Sequence, residues 1–307
     1  MKRSILSAIA VLLAVLPAAA QLSREEYKDK YDRQVRAVGY AGLGVETILD
    51  RWGNVYPDDC DMLEGRFFFD LTRARSSKTL RSPKARYMGR EPLMTLKDSL
   101  GAPVYFYEEE FYEDSLFNSA LGYMGRAAEL RPEEFLYRAH MLNSIIQKEK
   151  EEPVMSVEEL DALISYDKAC SPSWTYRSQP AGESFFPDAV QDYCSLYFEI
   201  GSPKSYAAMR RISERMIKLY PNRLEFLSNM GMYWKVAENN PKKALAVYKK
   251  VLSKDRDNYQ AAKNGFTVAR SLKDTKFQKT CLETVAMVSP SESERMSAES
   301  ILKAMSK

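Results

Sequence analysis

The chain has 307 residues, with 45 Lys and Arg against 42 Asp and Glu, a single His and a net charge of +3. A balance this near neutral argues against broad binding to nucleic-acid phosphates, which needs a net basic face. Four cysteines without zinc-ligand spacing, and one His, supply no ligand set for a metal.

The first segment reads "MKRSILSAIAVLLAVLPAAAQ". Lys2 and Arg3 make a positive start, Ile5 to Leu16 an apolar centre, and Ala18 to Ala20 a small-residue cleavage site. That is the order of a secretory signal peptide over 1–20. The expected product is a periplasmic or secreted chain 21–307, cut between Ala20 and Gln21 and carrying +1; an uncleaved anchor is the alternative. No Cys stands at the cut, so lipid attachment is not expected. No later segment is long and apolar enough to cross a bilayer.

The remainder reads as paired amphipathic helices. The pairs fall near 24–40 and 43–56, 58–75 and 113–131, 133–148 and 156–170, 186–200 and 203–220, 222–237 and 241–254, and 257–272 and 276–289. A last helix near 293–305 ends polar, as suits a cap on an open stack. In "NNPKKALAVYKKVL", Asn240 offers a capping oxygen and Pro241 fits the first turn, where its missing N–H costs nothing. Ser202-Pro203 repeats that entry. Ala244, Leu245, Tyr248, Val251 and Leu252 then form one buried stripe. Helix pairs of this kind bury their stripes against neighbouring pairs, which predicts one all-α domain over 21–307.

Two insertions break the period. Over 76–112 a basic start (Lys78, Arg81, Lys84, Arg86, Arg90) precedes "LMTLKDSLGAPVYFY", whose alternation around a Gly predicts a β-hairpin at 93–97 and 103–107. "YFYEEEFYED" follows. As a flap, this insertion offers Arg90, Tyr105 and Tyr107 as contacts; the alternative, and the preferred one, packs its aromatics and lets the charge blocks neutralise each other. Over 171–188, Trp174, Tyr176 and Arg177 suggest a stacking surface with a cation for a sugar ring or peptide. The alternative is that Trp174 plugs the loop onto the helices.

Helix ends recur at Pro57, Pro132, Pro172, Pro221, near Arg256 and at Pro290, and the last two intervals are 35 and 34 residues. "LSNMGMYWKVAENNPKKALAVYKKVL" resembles a tetratricopeptide repeat: Gly231 takes its small first-helix position, Trp234 its aromatic, Ala244 and Tyr248 the second-helix pair. "SALGYMGRAAELRP" resembles a second-helix half through Ala120, Met124, Ala127 and Pro132. The chain departs from the pattern by one extra turn residue and by Val251 and Arg256 for the usual Ala and Pro. The layout is similar to that of exported tetratricopeptide proteins of Bacteroidetes-type bacteria. The resemblance implies an α-solenoid of about six helical hairpins with a capping helix, whose first helices line a concave face for an extended peptide. On this chain that face would hold Asn143 and Gln147, then Gln191 and Ser195, then Ser228, Met232 and Lys235, then Lys263, Thr267 and Arg270.

Catalytic chemistry finds little support. His140 lies alone on a helix, and a nucleophile needs a base within reach. Asp58, Asp59, Asp61 and Glu64 could serve a carboxylate hydrolase, although acids also suit a helix start. No Gly-rich phosphate motif appears, and no cofactor is implied. The four cysteines allow three full pairings. A Cys170–Cys194 bridge would tie neighbouring units; the preferred alternative is four reduced, buried small hydrophobes. The leading expectation is a non-enzymatic protein- or peptide-binding scaffold. A glycan-binding module on the aromatic loops comes next, and a carboxylate hydrolase last.

Overall fold

A computed structural model describes residues 21–305; the signal-peptide expectation lies outside the described residues. Among them are thirteen helices and a small amount of antiparallel sheet. The first three helices are α1 (Arg24–Val38), α2 (Val45–Val55) and α3 (Cys60–Ala74). Strands β1 (Arg75–Ser82), β2 (Met94–Lys97) and β3 (Pro103–Tyr112) follow, then α4 (Asp114–Leu130), α5 (Phe135–Glu149) and α6 (Met155–Cys170). The two-residue strands β4 (Thr175–Tyr176) and β5 (Gln179–Pro180) precede α7 (Phe185–Ile200), α8 (Pro203–Leu219) and α9 (Leu224–Val236). The chain closes with α10 (Pro241–Lys254), α11 (Tyr259–Ser271), α12 (Thr275–Val288) and α13 (Glu292–Met305). No helix of the described residues is long and apolar enough to cross a membrane.

Local chemistry sets the helix starts. Ser202 accepts from Ser205 N ahead of Pro203, and Asn240 accepts from Lys243 N ahead of Pro241. Asn258 and Asp274 cap α11 and α12 in the same way. α3 starts two residues later than its sequence pattern suggests, because Asp59 is spent as its cap.

Most helices pack on their neighbours in sequence. Three large apolar clusters result, with a small fourth at Ala74, Phe117 and Ile145. One runs from α1 to α5 around Trp52 and Phe67, one from α5 to α9 around Leu160 and Tyr197, and one from α10 to α13 around Tyr248. α5 serves the first two, through Tyr137 and Leu142, and Trp234 of α9 packs against the last two. Gly231 lets α9 and α10 close up: a Cβ there would stand 2.6 Å from the Tyr248 ring. Thirty-four residues on, Gly265 serves α11 and α12 in the same way: a Cβ there would stand 3.2 Å from Cys281 Sγ and from the Phe277 ring. The caps Asn240 and Asp274 keep the same spacing.

The first insertion holds more than a hairpin. β1, expected only as the basic start of the insertion, pairs antiparallel with β3, which continues through the acidic run to Tyr112. The strand order is β1-β3-β2. Lys78 sits opposite Glu109 and Ser77 opposite Glu110, so the basic and acidic blocks meet across the ladder. α3 and α4 still pack on each other across the insertion.

Cysteine usage corrects one expectation. Cys194 and Cys281 are buried, but Cys60 is only half-buried and Cys170 is exposed. Cys194 Sγ lies 3.7 Å from Ser213 Oγ, and no bridge joins it to Cys170.

Candidate functional site: a groove between α5 and α7

Helix α5 turns Phe135, Ala139, Asn143 and Gln147 to one side, four residues apart, so they share a face, and Lys150 stands just past its end beside them. Across from it α7 presents Phe185, Ala189, Leu196 and Glu199. Two hollows of about 450 Å³ and 390 Å³ lie between the helices, and Asn143 and Leu196 line both. They form one groove with an exposed amide at its middle. Each insertion closes one end.

At the first end a tight turn over 87–90 reaches α7. Arg90 N donates to Tyr87 O at 3.0 Å and Tyr87 N to Arg90 O at 3.3 Å. Met88 and Gly89 both have positive φ, of 50° and 71°, as a type I′ turn requires. A Cβ on Gly89 would lie 2.8 Å from the carbonyl oxygen of Glu199. Glycine thus serves the turn twice, by its conformation and by its close approach to the end of α7. Gly89→Ala is expected to lift the turn from α7 and to cost about 1–3 kcal/mol. Urea unfolding and hydrogen-exchange protection of residues 87–90 measure both effects.

The sheet is anchored to α5 by charge. Lys150 Nζ lies 2.6 Å from Glu109 Oε1, and Tyr87 donates to the same oxygen at 3.0 Å. Burial alone would raise the Glu109 pKa, but Lys150 and Tyr87 outweigh it and hold the carboxylate below its usual range. Burial, then Glu109, push the Tyr87 hydroxyl upward. Lys84 pairs with Glu151 at 2.9 Å, and Tyr112 donates to Gln147 Oε1 at 3.2 Å. Arg90 is exposed at this end, and among the described residues no carboxylate lies within ion-pair distance of its guanidinium.

At the second end stands the β4–β5 hairpin. Arg177 and Ser178 form its turn at φ 52° and 61°, with no glycine to ease that backbone. The Glu134 carboxylate, only 2% exposed, accepts from Arg177 N at 2.8 Å, Ser178 N at 2.7 Å and Thr175 Oγ1 at 3.0 Å. Below the hairpin Trp174 stacks on Phe186 at 5.5 Å and 8°, and meets Phe135 edge-on. Its Nε1 donates to Asp167 at 2.8 Å. Tyr176 is exposed, tilts on Phe185 and carries the Arg177 guanidinium 5.6 Å from its ring centre.

The groove therefore gathers Arg90, Asn143, Gln147 and Tyr176 of the residues predicted from sequence, with Arg177 at its margin. The others stand elsewhere. Trp174 is buried and offers no open ring to a sugar. Tyr107 is 2% exposed and spends its hydroxyl on the Lys84 carbonyl, and Tyr105 is half-buried in the sheet. Gln191 exchanges amide hydrogen bonds with Asn229, while Ser195 is exposed one turn further along α7. Ser228 is buried, so it does not face solvent as expected. Met232 and Lys235 are half-buried on α9. Lys263 pairs with Glu294 at 2.9 Å, and Thr267 and Arg270 are exposed on the same helix. The Tyr259 hydroxyl, with Lys263 and Ser289, holds Glu294 down at about 2.

Sequence reasoning missed Glu134, Gly89, Leu196 and Glu199. Leu196 had a signal, an apolar stripe shared with Ala189 and Tyr193. Glu134 and Gly89 act on partners distant in sequence and had none.

The acids weighed for catalysis are all engaged. Asp59 accepts from Arg24 at 2.7 Å and from Trp52 at 3.0 Å, Asp61 pairs with Arg24 and Lys28, and Asp58 with Arg126. Glu64 meets His140 at 3.2 Å, whose ring packs edge-on against Phe68. Among the described residues no group of three or more His, Cys, Asp or Glu is placed to hold a metal ion. No protein-family model matches the chain, and no curated protein matches it.

Proposed function

We propose that this chain is a non-enzymatic scaffold that binds an extended peptide segment in the groove between α5 and α7. The observation that carries the reading is the meeting of Asn143, Gln147, Arg90 and Tyr176 in one groove. An amide side chain both donates and accepts, so Asn143 can match the alternating N–H and C=O of an extended backbone. Apolar walls from Leu196, Ile146 and Phe185 suit alternate side chains of that segment. A preformed groove lowers the ordering cost of binding. The thirty-four-residue spacing of Gly231 and Gly265 and of their following caps supports a tetratricopeptide-like solenoid as the frame. With the signal-peptide pattern, the reading places the scaffold in the periplasm or outside the cell.

Engagement of Asp58, Asp59, Asp61, Glu64 and His140 in contacts that stabilise the helices weighs against the hydrolase reading. The covered ring of Trp174 weighs against the glycan reading, which retains only Tyr176 and Arg177. A random-peptide display selection against the immobilised protein tests the scaffold. Selected peptides are expected to lose roughly tenfold in affinity to Asn143→Ala, the worth of a lost hydrogen bond or two. Lys263→Ala, at the far end of the array, should leave them unchanged. Fluorescence anisotropy of labelled peptides reads both. Equal affinity for Asn143→Ala and the parent chain would overturn the groove as the site.

A further inference from the structure

The overall charge conceals an uneven distribution. Residues 241–280 hold eleven Lys and Arg against three Asp and no Glu, a net charge of +8, so the rest of the chain is net acidic. Two of the cations are neutralised by neighbours: Lys249 pairs with Asp274 at 2.6 Å and Lys263 with Glu294. Lys242, Lys250, Lys254, Arg256, Lys276 and Lys279 are exposed, and among the described residues none has a carboxylate within ion-pair distance. The residues that α10 and α12 bury (Ala244, Tyr248 and Val251; Phe277, Cys281 and Leu282) fix which faces look inward. The lysines project from the opposite faces. The two helices flank an open hollow of about 580 Å³, floored by Leu252 and Phe277 and edged by Arg256, Met287 and one exposed carboxylate, Glu283, which the surrounding cations outnumber. Met287 is 65% exposed on the same outward side of α12 as Lys276 and Lys279.

We propose that the outward faces of α10 and α12 form a docking surface for an anionic lipid bilayer. Cations spread over two adjacent helix faces meet a plane of charged headgroups better than they enclose a single ligand. Lysine dominates, a point charge that needs no paired geometry. Met287 supplies an apolar side chain where the headgroups give way to acyl chains. A single-stranded nucleic acid fits less well, because it needs open aromatic platforms. Tyr248 and Phe277 are buried here, and Lys243 covers the ring of Trp234 at 4.1 Å. This surface is separate from the α5–α7 groove.

Cosedimentation of the full chain with vesicles tests the proposal, comparing phosphatidylcholine mixed with phosphatidylglycerol against phosphatidylcholine alone. Residues 1–20 carry Lys2 and Arg3 and can favour anionic vesicles by themselves, but they are common to all variants, so the comparison among variants reads the α10–α12 surface. The chain is expected to favour the anionic vesicles, and the preference to fall as salt is raised. The triple variant Lys250→Glu, Lys276→Glu, Lys279→Glu is expected to lose that preference by roughly tenfold or more with an unchanged thermal melt. Lys78→Glu, on β1, is the control and should retain it. Equal binding to both vesicle types, or a preference that survives the triple variant, overturns the proposal. So does binding to an oligonucleotide or to polyaspartate without binding to anionic vesicles.

Discussion

Trp174→Ala should lower the stability of the protein by about 3–5 kcal/mol, the usual cost of deleting a buried aromatic ring. The side chain fills the junction of α5, α6 and α7: it stacks on Phe186, meets Phe135 and Tyr166 edge-on, and ties its indole N–H to Asp167. Removing it leaves a cavity and strips Asp167 of one of two donors, the other being the Tyr220 hydroxyl. Tyr176→Ala, two residues along, should change stability by less than about 1 kcal/mol, because its ring is exposed. The pair separates two roles that the sequence places side by side. Urea unfolding of both variants is the measurement, and a Trp174→Ala protein as stable as its parent would show that the ring is a surface contact after all.

Glu134→Ala is expected to cost about 2–4 kcal/mol. The carboxylate is buried and accepts from two consecutive backbone N–H groups and a hydroxyl. Without it those donors lose their acceptor, while Arg177 and Ser178 keep a left-handed backbone that ordinary residues resist. Glu134→Gln should recover only part of the loss, since one carboxylate oxygen becomes an N–H₂ that opposes a backbone donor. Ser178→Gly in the Glu134→Ala background should restore about 1 kcal/mol, by relieving strain at the second turn position. The rate of tryptic cleavage after Arg177 gives a local readout: it should rise in Glu134→Ala and fall again when Ser178→Gly is added.

Those two residues also show what the sequence reveals and what it hides. Periodic apolar stripes and cap-proline entries disclosed the helices to within a few residues, because both signals are local. The hairpin of β2 and β3 was legible for the same reason, with alternation about a Gly. β1 was not. "RSSKTLRS" is wet on nearly its whole length, so no period of two marks it, and its pairing depends on an acidic partner strand some thirty residues away. That the basic and acidic blocks of this insertion neutralise each other could be expected from composition, but the ladder register that sets Lys78 opposite Glu109 could not. At the groove, Arg90, Asn143, Gln147 and Tyr176 could be chosen by residue type and helix face. Trp174 could not be assigned, because a tryptophan in a loop reads equally as plug or platform until its neighbours are known. The Glu134 clasp could not be anticipated, because nothing near Glu134 announces a turn over forty residues downstream.

The seat of Gly89 on Glu199 bears on the order in which the molecule can assemble. A stack of helix pairs can grow from one end, each pair settling on the last as soon as it emerges from the ribosome. The β1–β3–β2 sheet cannot finish that way, since its turn closes on α7, far downstream in the chain. α3 and α4 can pair early, and the three strands between them can pair with one another, but the turn over 87–90 has no seat until α7 arrives to receive it. Arg75, Lys78 and Arg81 of β1, an outer strand of the sheet, then have a use in the unfinished chain as well as the finished one. They keep an idle sheet edge from recruiting a stranger during the wait.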